Sequence, residues 1–180
     1  MRIQRLGNPP IQARALVEPL LREYLHWATH QLEQQCGVVI EDHQALAEKH
    51  HQEFLQELPR LLGASGRLLV GLDDGEVVGV GALRPVDDTT AHIKRMYVRP
   101  EFRGDGLGRA LLQRLLSEAR AIGYQCVRLE TAVFMTEAHG LYRSLGFHSI
   151  PMLEHSETAL SGLQEHAYFM ELPLTRAAAC

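Results

Sequence analysis

Apolar residues recur every three or four positions from Ile11 to about Gln35, where Leu16, Leu20, Leu21, Tyr24, Leu25, Ala28 and Leu32 define one face of a helix. Pro19 lies inside that pattern, so a kink or a fresh start is expected there. A second helical pattern runs from Asp42 to about Leu62, with Leu46, His50, Phe54, Leu58 and Leu61 on one side. A short strand over Ile3 to Leu6 precedes both. The period then changes. Arg67 to Leu72 and Val77 to Leu83 flank Asp73-Asp74-Gly75-Glu76 and read as a β-hairpin, the Asp-Gly pair supplying the positive φ of its turn. Ala91 to Val98 is an apolar strand interrupted by charges. Gly106 to Ile122 is an amphipathic helix, with Leu107, Ala110, Leu111, Leu115 and Ala119 inward, arginines and a glutamate outward, and Gly123 as its stop. Cys126 to Thr131 is the next strand. The strand–helix–strand run therefore predicts a parallel pair joined by a right-handed crossover. A short helix over Thr136 to Leu145, a strand around Phe147 to Ile150, a polar loop over Met152 to Gly162, a strand over Gln164 to Leu172 and a frayed tail over Thr175 to Cys180 complete the reading.

These elements predict one α/β domain over residues 1–174, with a tail at 175–180. The 180 residues suffice for a single sizeable core. Composition changes little in that picture: 46% hydrophobic and 22% charged residues are ordinary for a globular chain. The formal net charge of -4 argues against a nucleic-acid binder and is compatible with a cationic acceptor. Cys36, Cys126 and Cys180 are too widely spaced for a zinc motif or a disulfide framework. No apolar run approaches 18 residues, and Met1-Arg2-Ile3-Gln4-Arg5 lacks a signal-peptide core, so a cytoplasmic protein without membrane contact is expected. His26 and His30 are four apart in the first helix, and His43, His50 and His51 lie in the second. No Cys or carboxylate completes a ligand set around them. They are read as solvated helix faces, and no metal is expected.

The candidate chemistry sits between the third strand of the sheet and the long helix. There the chain reads Val98-Arg99-Pro100-Glu101-Phe102-Arg103-Gly104-Asp105-Gly106-Leu107-Gly108-Arg109. Closely spaced glycines let consecutive backbone N–H groups converge on one concavity without an obstructing Cβ. The helix that starts there adds unpaired donors and the positive end of its dipole. This predicts an anion site suited to phosphate, flanked by Arg103 and Arg109. A nucleotide-triphosphatase loop is excluded, because no Lys-Ser or Lys-Thr follows these glycines. A dinucleotide fingerprint is excluded by the spacing of Gly104, Gly106 and Gly108.

The stretch Arg103 to Gly108 resembles the R-x-x-G-x-G element of the GCN5-related N-acetyltransferase (GNAT) superfamily. The likeness continues to A-x-x-x-L-Y-x-x-x-G-F at Ala138 to Phe147, and so covers about Arg67 to Phe147. It implies a single-domain fold with a mixed, largely antiparallel sheet, a central parallel βαβ unit and flanking helices. Residues 67–147 would form the cofactor-binding core, and helices 11–62 would shape the acceptor side. It implies acetyl-CoA as cosubstrate, a primary amine as acceptor and no metal. Backbone N–H groups of Arg103, Gly104, Asp105, Gly106, Leu107 and Gly108 would hold the pyrophosphate, with Arg103 and Arg109 neutralising it from the side. The strand segment Met96, Tyr97 and Val98 would hold the pantetheine arm and the thioester carbonyl, in a slot opened where this strand splays from Cys126 to Thr131. Tyr142 matches the tyrosine that protonates the departing thiolate; the alternative is a core tyrosine.

Two positions depart from the superfamily pattern. Where many members carry a glutamate, four residues before Met96, this chain has His92. An imidazole can serve as a base through water, or His92 is simply a strand-end surface residue; Glu130 and Glu137 are the fallback carboxylates. Where an asparagine often contacts CoA, the chain has Met135. Asp105 adds negative charge to the anion loop and must face solvent, and its Arg-Gly-Asp setting is read as coincidence. No Cys or Ser sits in a nucleophile context, so direct attack by the amine in a ternary complex is expected. The acceptor is expected to be a small molecule, and homodimers are common among such proteins. The rival reading is a catalytically inactive CoA-binding sensor or interaction module.

Overall fold

A computed structural model of the chain describes residues 1–152 and 164–174. The order is β1 (Arg2–Arg5), α1 (Pro10–Cys36), α2 (His43–Leu62), β2 (Arg67–Asp73), β3 (Glu76–Pro85), β4 (Thr90–Val98), α3 (Leu107–Ile122), β5 (Cys126–Ala132), α4 (Thr136–Ser144), β6 (His148–Ile150) and β7 (Ala167–Pro173). The strands form one sheet in the order β1-β2-β3-β4-β5-β7-β6. Every neighbouring pair is antiparallel except β4 and β5. The mixed α/β architecture expected from the sequence is therefore present, including the parallel pair around α3. Beyond Met152, the expected loop lies outside the described residues, as does the tail from Thr175.

Several boundaries follow from local chemistry. Pro10 opens α1 at a position where a missing N–H costs nothing. The helix then runs unbroken through Pro19 to Cys36, where Gly37 at φ 67° closes it. Asp42 caps α2 by accepting from the Ala45 N–H at 2.8 Å. Asp74 and Gly75, at φ 45° and 89°, make the β2–β3 turn that the Asp-Gly pair predicts. β7 starts three residues later than expected, because Gln164–His166 forms a single 3-10 turn.

The sheet separates two cores. On one face α3 lays Leu107, Leu111, Leu112, Leu115 and Leu116 against Leu69, Val78, Ile93, Val127 and Leu129. On the other, α1 and α2 bring Val17, Leu20, Phe54, Leu58 and Leu61 onto Leu68, Val70, Val80 and Tyr97. Arg67 is buried and donates to Glu118 at 2.6 Å, tying the far end of α3 to β2. Glu118 is thus an inward anchor, where the amphipathic pattern placed a solvated glutamate. Among the histidines, His51 corrects the reading of solvated helix faces: it is 4% exposed, with its Nε2 3.3 Å from a Glu18 carboxylate oxygen. His26, His30 and His43 are exposed and His50 is half-buried. Among the described residues no three His, Cys, Asp or Glu side chains are grouped as a metal site requires, and no helix is long and apolar enough to cross a membrane.

α3 fixes where the glycine loop stands, so its seat on the sheet matters. Leu115 is completely buried and lies over Gly81, where a Cβ would sit 3.0 Å from its methyl group. Leu115→Ala is expected to cost about 2–5 kcal/mol of stability. Urea denaturation checks this, and a loss under ~1 kcal/mol would show that α3 does not depend on that contact.

Candidate active site

The sheet parts in the middle. β4 and β5 pair in register from Thr90–Cys126 through Ala91–Val127 and His92–Arg128 to Ile93–Leu129, and no further. Beyond that point β5 keeps its other neighbour, pairing with β7 as far as Ala132–Ala167, while β4 keeps only β3. The splay implied by the family resemblance is thus present, starting at Lys94 and Glu130.

A β-bulge in β4 accompanies the split. Val80 pairs with Tyr97 but Ala82 pairs with Lys94, so Arg95 and Met96 together face Gly81. Arg95 has φ 59°, uncommon for a residue with a Cβ. The extra residue changes which side chains share a face. Ala91 and Ile93 belong to the α3 core, and after the bulge it is Met96 and Val98 that pack there. Lys94 and Arg95 both turn towards α2, where Lys94 Nζ is 3.4 Å and Arg95 Nη2 3.8 Å from Glu57 carboxylate oxygens. Gly81 makes room for the bulge: a Cβ there would lie 2.6 Å from the Met96 sulfur. The Arg99 N–H bonds the Val78 carbonyl on β3, so the backbone groups of the preceding Val98 face the open side.

The glycine loop closes one end of the gap. Gly104 and Gly106 have φ of 88° and 84°, and Gly106 is the residue from which α3 starts, with no side-chain cap. The first intrahelical bond runs from Ala110 N–H to the Gly106 carbonyl, leaving the N–H groups of Leu107, Gly108 and Arg109 without partners inside the helix. Asp105 is exposed, as an anion loop requires. The two arginines are placed differently from each other. Arg109 reaches across to α4 and donates to Ser144 Oγ at 2.8 Å. Arg103 folds back, donating from Nε to the Val98 carbonyl at 2.9 Å, with its guanidinium 4.7 Å from the Trp27 ring and 5.5 Å from the Tyr97 ring. As it stands, Arg103 is a wall of the gap rather than a second charge beside the loop.

Two cavities follow from this arrangement. The outer one, about 450 Å³, is lined by the glycine loop, Val98, Arg103, Arg109, Glu137 and Leu141. The inner one, about 200 Å³, lies beneath α1 and α2, between Ile93–Met96 and Leu129–Ala132, with Glu130 on its wall. Met96, Phe134, Met135 and Tyr142 line both, so the cavities meet where the strands diverge. Tyr142 is 6% exposed and packs against Phe147, with ring centres 5.8 Å apart. Burial pushes its phenol above the usual tyrosine range, so it stays protonated at working pH. His139 fixes the start of α4 by donating from Nε2 to the Ala132 carbonyl at 2.9 Å; burial lowers its pKa, which fits a neutral ring.

His92 lies elsewhere. It sits upstream of the split, opposite Arg128, is 4% exposed, and lines neither cavity. Its burial overturns the reading of a strand-end surface histidine. Of the fallback carboxylates, Glu130 is on the inner wall and Glu137 on the outer one. Cys126 stands at the closed end of β5; burial, then Glu171, pushes its thiol up to about 11, which removes it as a nucleophile at neutral pH.

Sequence reading alone missed the aromatic roof. Tyr24 and Trp27 of α1 stack near Tyr97 at 5.2 and 5.8 Å, and Phe134 meets the Trp27 ring edge-on at 5.8 Å. The Tyr97 hydroxyl donates to Glu23 at 3.0 Å; burial, then that carboxylate, pushes its pKa up to about 12. Arg99 donates to the other Glu23 oxygen at 2.8 Å, so α1 is held over the end of β4. The available signal was the sole tryptophan, three residues after Tyr24 on an otherwise aliphatic helix.

The sheet is thus split at its parallel pair, with a glycine-bounded helix start at one end of the gap and a tyrosine at its waist. Residues 21–147 match the model of the acetyltransferase (GNAT) family, and the chain belongs to that family. It is similar to an IAA acetyltransferase of Azospirillum brasilense, 36% identical over 129 residues that span 71% of this chain and 79% of that one. The N-acetylaspartate synthetase of Rattus norvegicus is 40% identical over 87 residues, 48% of this chain but only 29% of its own length. The fold is also that of the PaiA N-acetyltransferase from Thermoplasma acidophilum, solved in complex with coenzyme A, at TM-score 0.71 and 18% identity, with 96% and 99% of the two chains covered.

The Arg103–Trp27 contact offers a direct check of the wall. Arg103→Ala is expected to cost about 1 kcal/mol of stability and to shift the emission of Trp27, the sole tryptophan. An unchanged emission spectrum would separate the guanidinium from the indole.

Proposed function

We propose that the protein is an acetyl-CoA-dependent N-acetyltransferase that moves an acetyl group to a primary amine of a small molecule by direct attack in a ternary complex. The single observation that carries this reading is the meeting of two cavities at Met96, Phe134, Met135 and Tyr142, where β4 and β5 part. A cofactor lying in the outer cavity has its thioester at that waist, and an acceptor in the inner cavity meets it from the opposite side. The inner volume of about 200 Å³ is below the ~300–1,000 Å³ common for drug-sized ligands, which favours a small acceptor. The relatives' names are consistent with this, one being an IAA acetyltransferase and another a synthetase of N-acetylaspartate.

The residues then take roles by position. Amides of Gly104 to Arg109 hold the pyrophosphate of acetyl-CoA against the start of α3, with Arg109 beside it. Arg103 accompanies them once its guanidinium leaves the Trp27 face. Backbone groups of Met96 and Val98 take the pantetheine arm as an added strand and orient the thioester, with Tyr97 between them anchoring β4 to α1. The amine nitrogen attacks the thioester carbon, the oxygen gathers negative charge, and collapse breaks the C–S bond with both electrons going to sulfur. Tyr142, kept protonated by burial, gives its proton to that sulfur as charge develops. The proton lost by the amine goes through water to Glu130 on the inner wall, the role His92 cannot fill from the closed part of the sheet. No covalent enzyme intermediate is formed.

Two substitutions test these roles. Gly106→Val is expected to raise the KM for acetyl-CoA by about tenfold or more, because a β-branched residue at φ 84° is strained. An unchanged KM in steady-state assays would refute the loop assignment. Tyr142→Phe is expected to lower kcat by ~100-fold while leaving the affinity for coenzyme A intact. Full turnover in that variant removes Tyr142 from the proton transfer.

A further inference from the structure

Of the four side chains shared by the two cavities, all but one come from a single short stretch of chain. Phe134, Met135 and Tyr142 lie between the end of β5 and the middle of α4, and only Met96 belongs to β4. The stretch is pinned at the Ala132 carbonyl, on the last residue of β5. The Met135 N–H donates to that oxygen at 3.0 Å and closes a tight turn over Val133 and Phe134. His139 Nε2 donates to the same oxygen at 2.9 Å, so both of its lone pairs are used. Ala132 is itself held, since β5 pairs with β7 as far as Ala132–Ala167. α4 has nine residues and no side-chain cap at Met135, and a helix this short takes its place from contacts rather than from its own cooperativity. Its buried residues are His139 and Tyr142, three positions apart and so neighbours on one face. Tyr168 of β7 meets the His139 ring edge-on, with ring centres 4.9 Å apart, and holds the imidazole from a second side.

From this we infer that His139 is a positioning residue for acetyl transfer: by tying the first turn of α4 to the Ala132 carbonyl, it sets where the Tyr142 hydroxyl stands in the gap between β4 and β5. The inference rests on the acetyl-transfer reading above and adds to it a residue that lines neither cavity. Its effect reaches the waist through the helix that carries Tyr142. Burial keeps the donating ring neutral, so a neutral carboxamide can replace it, and the side-chain nitrogen of a glutamine reaches about as far as Nε2. Losing the bond leaves the Ala132 carbonyl with its Met135 donor, and His139 belongs to neither core, so the fold survives. What is lost is aim. A proton donor must come within hydrogen-bond reach of the sulfur, and a misplacement of about 1 Å can cost on the order of 100-fold in rate.

The test is a double-mutant cycle read in steady-state kinetics: His139→Leu, Tyr142→Phe and the two together, with His139→Gln as the conservative variant. His139→Leu is expected to lower kcat by about 10-fold while coenzyme A affinity and the KM for acetyl-CoA stay within about twofold. His139→Gln is expected to recover most of that loss. In the Tyr142→Phe background, His139→Leu is expected to change kcat by less than about twofold, because the group it places is gone. Tyr168→Leu, at a 45% exposed position, leaves the imidazole in place but removes its support. It is expected to lower kcat by about two- to threefold with Tyr142 present and not in Tyr142→Phe, which keeps the test open should His139→Leu fail to fold. A loss that adds fully to that of Tyr142→Phe overturns the positioning role and leaves acetyl transfer standing. So does an unchanged kcat in His139→Leu, or a loss that appears only in the KM for acetyl-CoA. Full turnover in Tyr142→Phe itself removes the proton donor from the reading above, and this inference with it.

Discussion

Everything in this molecule follows from a pairing that stops early. β5 has two neighbours, and it keeps β7 over its whole length while releasing β4 after Leu129. A parallel pair inside a sheet would normally continue, since each unpaired N–H and C=O in a buried setting costs about 1–3 kcal/mol. The bulge at Arg95 and Met96 bends β4 away and makes separation the lower-energy course. Part of the exposed backbone is satisfied locally, as when Arg103 donates to the Val98 carbonyl. The remainder is left as a ready edge for an extended ligand.

Around that gap the elements act as supports. α3 is fastened along its length by buried leucines and near its far end by the Arg67–Glu118 pair, so the loop ahead of it is held in a fixed position. α1 is held over β4 by Glu23, which takes hydrogen bonds from both Tyr97 and Arg99. α4 is tied to the end of β5 through His139 and the Ala132 carbonyl. Each support reaches the gap from a different part of the sequence. The waist at Tyr142 is therefore set by three independent anchors rather than by one loop.

Much of this was legible from residue patterns alone. The helices betray themselves by three-and-four periodicity, the β2–β3 turn by Asp74-Gly75, and the anion loop by glycines that local backbone geometry demands. The parallel pair followed from strand–helix–strand order. What escaped was the bulge, because its cause is not local: Gly81 on the neighbouring strand makes room for Met96, and no glycine marks β4 itself. That single extra residue also changes which face His92 shares. In a regular strand, residues four apart share a face, so His92 would accompany Met96; across the bulge the parity reverses, and His92 shares the α2 face with Lys94, one register step short of the split. The one hint was two consecutive charges, Lys94 and Arg95, inside an apolar strand. Trp27 and Phe134 also went unrecognised, since roofing a cavity leaves no periodic trace.

The most direct measurement is a crystal structure of the protein grown with acetyl-CoA. The account predicts the pyrophosphate on the amides of Gly104 to Arg109, the pantetheine arm alongside Met96 and Val98, and the acetyl carbon at the waist beside Tyr142, facing the inner cavity. A cofactor seated outside the β4–β5 gap, or an acetyl group pointing away from the inner cavity, would contradict it.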